Sequence, residues 1–214
     1  VSEGPYGALN VALHVGDQPA AVLENRRRLR AGLGLPSEPL WLAQVHGVEV
    51  ARGVAGRADA CVLTERGQVA AIQVADCMPV LFAAINAQAV GAAHAGWRGL
   101  AAGVLEATVA AMGTRPAELC AWLGPAIGPR HFEVGEEVRA AFLAHSRAAA
   151  AGFQPNARGR WQCDLELLVR QRLKALGIAE VYGGGLCTYA DPERFFSFRR
   201  DGRCGRMAAL IWSE

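Results

Sequence analysis

The stretch A-D-C-M-P-V-L-F at residues 75–82, with A-A-H-A-G-W-R-G-L at 92–100, decides how the rest of the chain is read. Near-continuous apolar runs at 69–75, 80–85 and 89–93 predict strands covered on both faces, because a strand with one wet face would alternate instead. A helix is predicted over 97–112: Leu100, Val104, Thr108 and Met112 share one face and Gly113 closes it. Strand, glycine turn and helix thus follow one another here. Asp76, Cys77, His94 and Arg98 sit among neighbours that are mostly apolar or glycine. Proline cannot donate to a central ladder, so Pro79 predicts a break that exposes the strand end carrying Cys77.

Upstream, Pro19 suits a first turn and opens a helix over 19–34 that ends at glycine. Residues 1–18 read as a loop leading into a short strand, with His14 an ordinary surface histidine. Strands are predicted at 40–45, 48–52 and 59–63, with His46 and Gly47 at the bend between the first two. Downstream, a strand at 119–123 runs into the rigid turn G-P-A-I-G-P. A helix over 134–145 carries Glu136 and Glu137 near its start, where negative charge suits the macrodipole. Residues 146–160 read as a mobile linker. Asp164 caps a helix whose Leu165, Leu168, Val169, Leu173 and Leu176 recur at helical spacing, with Gly177 as the stop. Strands return at 180–184, 194–200 and 206–212. Strands before, between and after the helices predict one mixed α/β domain rather than strict alternation.

Composition sets the bounds. The 214 residues are 52% hydrophobic and 20% charged, which is globular and not disordered. A net charge of +2, with both signs mixed along the chain, offers no basic face for nucleic acid or an anionic membrane. Apolar runs fall short of the ~20 residues that span a bilayer, and no charged-then-apolar leader opens the sequence. Six cysteines without a C-x-x-C pair predict reduced thiols in the cytoplasm. Cys61 and Cys120 read as core residues, and Cys187 and Cys204 as thiols that can approach one another.

The chemistry concentrates on three residues. His46, Cys77 and His94 make a set of mixed nitrogen and sulfur donors that suits Zn²⁺. Three protein ligands leave a fourth position for water or substrate, as in catalytic rather than structural zinc. Asp76 beside Cys77 is a candidate for proton handling, or for orienting a ligand. Arg98, in a first helical turn where the macrodipole disfavours it, is a candidate grip for phosphate or carboxylate. Other readings use the same residues: a cysteine hydrolase with Cys77 as nucleophile and His94 or His46 as base, a copper-dependent polyphenol oxidase, or a binding protein without turnover. Five histidines in all are too few for a multicopper cluster beside this site, which favours zinc over copper.

Six blocks together carry a resemblance. They are Q-V-H-G (44–47), A-D-C-M-P-V-L-F (75–82), A-A-H-A-G-W-R-G-L (92–100), L-G-P-A-I-G-P (123–129), F-E-V-G-E-E-V (132–138) and C-T-Y…F-F-S-F-R-R-D-G…G-R-M-A-A-L-I-W (187–212). They closely resemble the bacterial YfiH family, the laccase-domain or polyphenol-oxidase-like proteins described as purine nucleoside phosphorylases. The resemblance implies an α/β fold: a single four-layer α/β/β/α domain with mixed sheets over residues 1–214. It puts zinc on His46, Cys77 and His94. It implies phosphorolysis of adenosine, inosine, guanosine and methylthioadenosine, with adenosine deamination at the same site. Purine nucleosides and phosphate are then the partners, with Gln44, Arg98, Arg199 and Arg200 as candidate substrate or phosphate contacts. A monomer or small homo-oligomer is expected. Family members usually carry an R-x-G-G segment just before the V-S at which this sequence starts, so the domain is expected without its first N-terminal strand.

Overall fold

The computed structural model describes residues 1–85 and 88–214. The chain passes through α1 (Pro19–Leu33), β1 (Leu40–Trp41), β2 (Val50–Arg52), β3 (Ala60–Leu63), β4 (Val69–Val74), β5 (Met78–Ala84) and β6 (Val90–Ala95). Next come α2 (Trp97–Ala102), α3 (Val104–Met112), β7 (Leu119–Leu123), β8 (Glu133–Val134), α4 (Glu136–Leu143) and β9 (Phe153–Pro155). The chain ends with β10 (Trp161–Cys163), α5 (Leu165–Leu176), β11 (Glu180–Gly183), α6 (Phe198–Asp201) and β12 (Met207–Trp212).

A six-stranded sheet in the order β11-β7-β5-β6-β3-β2 has parallel outer pairs and antiparallel inner ones. A three-stranded sheet, β1-β4-β12, covers part of one face; β4 runs parallel to β1 and antiparallel to β12. Between the sheets, Ile72 and Val74 of β4 pack with Cys61 and Leu63 of β3 and with Val90 and Ala92 of β6. The other face of the large sheet packs Val80 and Phe82 against Leu105 and Val109 of α3 and Leu168 and Leu173 of α5. On the outer side, the Arg26 guanidinium of α1 lies 4.1 Å over the Trp41 ring of β1. The layers therefore run helix, sheet, sheet, helix. A small antiparallel sheet, β8-β10-β9, makes a third.

The strand sequences follow from this burial. β3, β4 and β6 are buried along their whole length, so none shows a polar alternation. β6 is built of small residues because both of its faces are crowded. A Cβ at Gly91 would come within 3.2 Å of Met112 Sδ, so α3 packs on the strand backbone there. Period-two alternation puts His94 on the inter-sheet side with Val90 and Ala92.

Several expectations need correction. The helix over 97–112 is two helices, because Gly103 takes a left-handed φ of 102° that ends α2 and starts α3. Pro79 does not break its strand: it is the second residue of β5, opposite His94, where its missing N–H falls at the strand's start. The 146–160 segment is no mobile linker, since a 3₁₀ turn over Arg147–Gly152 and strand β9 bury Ala149, Gly152 and Phe153. Residues 194–200 form a turn and the start of α6, capped by the Ser197 hydroxyl, rather than a strand. Leu13–Val15 is a 3₁₀ turn, and Val134 belongs to β8, with α4 starting at Glu136. The pair at 40–45 and 48–52 shortens to β1 and β2. Cys61 is fully buried as expected, Cys120 only partly, and Cys187 and Cys204 are separate free thiols. Among the described residues no helix is long and apolar enough to cross a membrane.

Candidate active site

β5 and β6 are antiparallel, with Met78 paired to Ala95, so the start of one strand lies beside the end of the other. This register brings Cys77 next to His94. The gap between the two sheets opens at the same end, and the loop from β1 to β2 lays His46 over the opening. Sγ of Cys77 is 3.9 Å from Nε2 of His46, and the two imidazoles meet edge to face with centroids 4.7 Å apart. One ligating atom from each of the three residues lies within 4.8 Å of the others. His94 is buried, Cys77 partly buried and His46 exposed.

Asp59, which precedes β3, organises the site. Its carboxylate accepts the backbone N–H groups of Val45, His46 and Gly47 at 3.0, 2.8 and 2.7 Å. Those bonds hold His46 at a left-handed φ of 62°, a conformation that otherwise costs about 1–3 kcal/mol. The same carboxylate lies 2.8 Å from His94 Nδ1, and the Asp59 carbonyl accepts the His94 N–H at 2.7 Å. Burial works to raise the Asp59 pKa, but the bonds from His94 and from the three amides outweigh it and hold the carboxyl below its usual range. An ionised carboxylate only accepts, so Nδ1 carries the proton and Nε2 is the His94 atom left for a ligand.

The other two donors are tuned by each other. Burial alone would push the Cys77 thiol up, but the charge of His94 and hydrogen bonds from both imidazoles pull it below its ordinary value. Burial alone would push His94 down, but the Cys77 charge and the Asp59 bond raise it. Both shifts favour the Cys77 thiolate paired with a protonated His94, whose Nε2 proton a bound metal would displace. Such a thiolate is both a nucleophile and a metal ligand.

Two glycines set the approach of α2. A Cβ at Gly96 would lie 2.9 Å from Cys77 Sγ and 3.1 Å from His46 Cδ2. A Cβ at Gly99 would lie 2.8 Å from the Gly47 carbonyl oxygen, so α2 rests on the backbone of the His46 turn. The donor set fits zinc: ligands around one tetrahedral zinc sit roughly 3.3–3.6 Å apart, a separation these three reach by side-chain shifts of about an ångström. Among the described residues this is the one cluster of three such donors.

The donors line a cavity of about 440 Å³ with Trp97, Phe132 and Phe198 on its walls. Arg98 and Arg199 also line it, and the Arg98 guanidinium lies 4.6 Å over the Trp97 ring. A second cavity of about 580 Å³, beyond Ile127, contains Cys187 and His131 but no donor trio. Asp76 lines the first cavity, yet both of its carboxylate oxygens are engaged, by the Thr188 hydroxyl and the Arg199 N–H, each at 2.6 Å. Gln44 also reaches the cavity while its amide bonds the Gln73 backbone in both directions, at 2.8 Å each way. Arg200 stands outside. Its guanidinium donates to the carbonyls of Thr188, Tyr189 and Phe195 and pairs with Asp201, which holds the C-terminal turn together.

Sequence reasoning did not single out Asp59; His14 is exposed, as expected of a surface histidine, and it also lines the cavity. The signal for Asp59 was an acid heading an otherwise apolar buried strand.

The family described as multi-copper polyphenol oxidoreductase laccase matches residues 1–214. The chain belongs to this family. It is 50% identical over 217 residues to purine nucleoside phosphorylase YfiH of Escherichia coli, spanning 99% of this chain and 89% of that protein. A purine nucleoside phosphorylase of Pseudomonas aeruginosa is 51% identical over 218 residues, spanning 100% of this chain and 89% of its own. The crystal structure of a Neisseria meningitidis protein of family DUF152 superposes with a TM-score of 0.96 at 46% identity, covering 100% of this chain and 90% of that one. The resemblance read from the six sequence blocks is therefore borne out, and so is the mixed α/β fold.

Proposed function

We propose that this protein is a zinc-dependent purine nucleoside phosphorylase that acts on adenosine, inosine, guanosine and methylthioadenosine and deaminates adenosine at the same site. The observation that carries the proposal is the meeting of His46, Cys77 and His94 on the wall of one small-molecule-sized cavity. The relatives named purine nucleoside phosphorylase supply the substrate class. Zinc bound here supplies Lewis-acid polarisation and water activation near neutral pH.

The chain's own residues do the rest. Asp59 holds His94 in one tautomer and His46 in one backbone conformation, so the donors are organised before a substrate arrives. Trp97, Phe132 and Phe198 offer flat apolar surfaces to a purine ring. Arg98 and Arg199 hold phosphate beneath the sugar, where fixed positive charge favours attack on the anomeric carbon. Asp76 acts as a positioning residue: its two accepted bonds tie the Cys77 strand end to the segment carrying Thr188 and Arg199. The engaged oxygens favour this role over proton transfer. The six free thiols suit a cytoplasmic setting.

The lowered Cys77 pKa also favours a cysteine hydrolase as the second reading. One assay separates the two. Adenosine and inosine are incubated with and without phosphate, on the zinc-loaded wild type and on Cys77→Ala. Free base and ribose 1-phosphate that form only with phosphate and vanish in the variant support the phosphorylase; inosine formed from adenosine without phosphate supports the deaminase. Zinc at one per chain with no turnover of either nucleoside would sink the proposed substrates.

A further inference from the structure

Of the charged groups lining the site cavity, three are arginines: Arg98, Arg199 and Arg206. Among the described residues none of the three has a carboxylate within ion-pair distance, whereas Arg170, Arg172, Arg194 and Arg200 are all paired. The one acid on the cavity wall, Asp76, is already held by Thr188 and the Arg199 N–H. Three guanidiniums against the one carboxylate of Asp76 leave the cavity wall positive on balance, which draws anions into it.

The arginines also divide by origin. Arg98 is the second residue of α2, two residues after Gly96, whose position abuts Cys77 Sγ and His46. Arg206 comes from the far end of the chain and is fastened to the N-terminal segment: its N–H donates to Asn10 Oδ1 at 2.9 Å, and its carbonyl accepts the Val11 N–H at 3.3 Å. Asn10 is fully buried. It bonds in turn to the Ala12 backbone and Asp17, the loop that presents His14 to the same cavity. His14 and Arg206 both line the cavity; burial first, then the charges of Arg206 and Arg26, lower the His14 pKa. The Arg206 guanidinium is held on one side by the Cys204 and Gly205 carbonyls and lies 5.7 Å over the Phe198 ring, which also lines the cavity.

We propose that Arg206 and His14 form a second anion subsite in this cavity, distinct from the phosphate grip of Arg98, which receives the phosphoryl group of a purine nucleoside 5′-phosphate. The inference rests on the nucleoside reading of the site and extends it to a phosphorylated ligand. Phe198 then flanks the nucleoside, and the subsite supplies the charge that tells a nucleotide from a nucleoside.

The test is calorimetric titration of the zinc-loaded full chain with adenosine and with adenosine 5′-monophosphate at low salt, on wild type, Arg206→Met, Arg206→Met/His14→Ala and Arg98→Met. The expected result is at least tenfold tighter binding of the monophosphate by wild type, about 1.4 kcal/mol. That ratio should shrink with added salt and fall to near one in both Arg206 variants. Equal affinity for the two ligands in wild type overturns the subsite and leaves the nucleoside reading intact. A ratio lost only in Arg98→Met also overturns it, by giving the ester phosphate to Arg98. Tight monophosphate binding that depends on Arg206, with no binding of adenosine, supports the subsite while contradicting the nucleoside reading. Binding of neither ligand overturns both.

Discussion

Asp59 shows how much one buried carboxylate can organise. It joins three consecutive amides of the His46 turn to the imidazole of His94, so two donors depend on one side chain. Asp59→Asn replaces an acceptor by an NH₂ that faces a donor, leaving buried groups unsatisfied at about 1–3 kcal/mol each. Zinc affinity, read by competition with a chromogenic chelator, should fall about 10–100-fold, the usual scale for losing such a supporting carboxylate. An unchanged affinity would remove Asp59 from the account. Cys77 makes a second prediction. Only the thiolate alkylates, so the rate rises as pH passes the thiol pKa and levels off above it. With that pKa pulled down by His94 and His46, iodoacetamide labelling of Cys77 in metal-stripped protein should rise well below the ordinary ~8.5 of a free thiol. Cys61, whose pKa burial raises to about 12, should stay unlabelled. A Cys77 profile centred near 8.5 would contradict the ion pair.

At the scale of elements, the strands beside the site were the most legible part of the chain. β4, β5 and β6 are apolar but for Gln73 and His94 because both of their faces are covered, and that pattern survives in one dimension. The helix breaks were not legible. The face through Leu100, Val104, Thr108 and Met112 continues across Gly103, so periodicity alone cannot show the left-handed residue that splits it. F-F-S-F-R-R alternates like a strand, but its Arg199 N–H is held by Asp76, a bond spanning 123 positions that overrides local preference. His46, Cys77 and His94 stood out by their places at strand ends and a bend, a weak signal that the family resemblance of their blocks raised; Asp59 acts through its neighbours and carries no signal of its own beyond being an acid beside a buried strand. Small residues at the start of α2 are the element-scale requirement. Gly96→Ala would force Cys77 and His46 apart without any backbone strain, since φ at Gly96 is −69°. The variant should keep its melting temperature within a few degrees yet bind zinc at least tenfold more weakly. Wild-type affinity in that variant would show that α2 does not press on the donors.

At the scale of the whole molecule, the site exists because two sheets share an open end. β5 and β6 supply Cys77 and His94 through their antiparallel register, the β1–β2 loop supplies His46, and the C-terminal segment closes against Asp76. No two of the donors are near neighbours in sequence, so only the folded chain assembles them, and each should be needed for the metal. The most direct measurement is the zinc content of the purified protein by mass spectrometry of the element, taken on wild type, His46→Ala, Cys77→Ala and His94→Ala after dialysis against a weak chelator. The account predicts one zinc per chain in wild type and well under half that in every variant, with folded structure retained by circular dichroism. One zinc per chain in Cys77→Ala, held as tightly as in wild type, would contradict it.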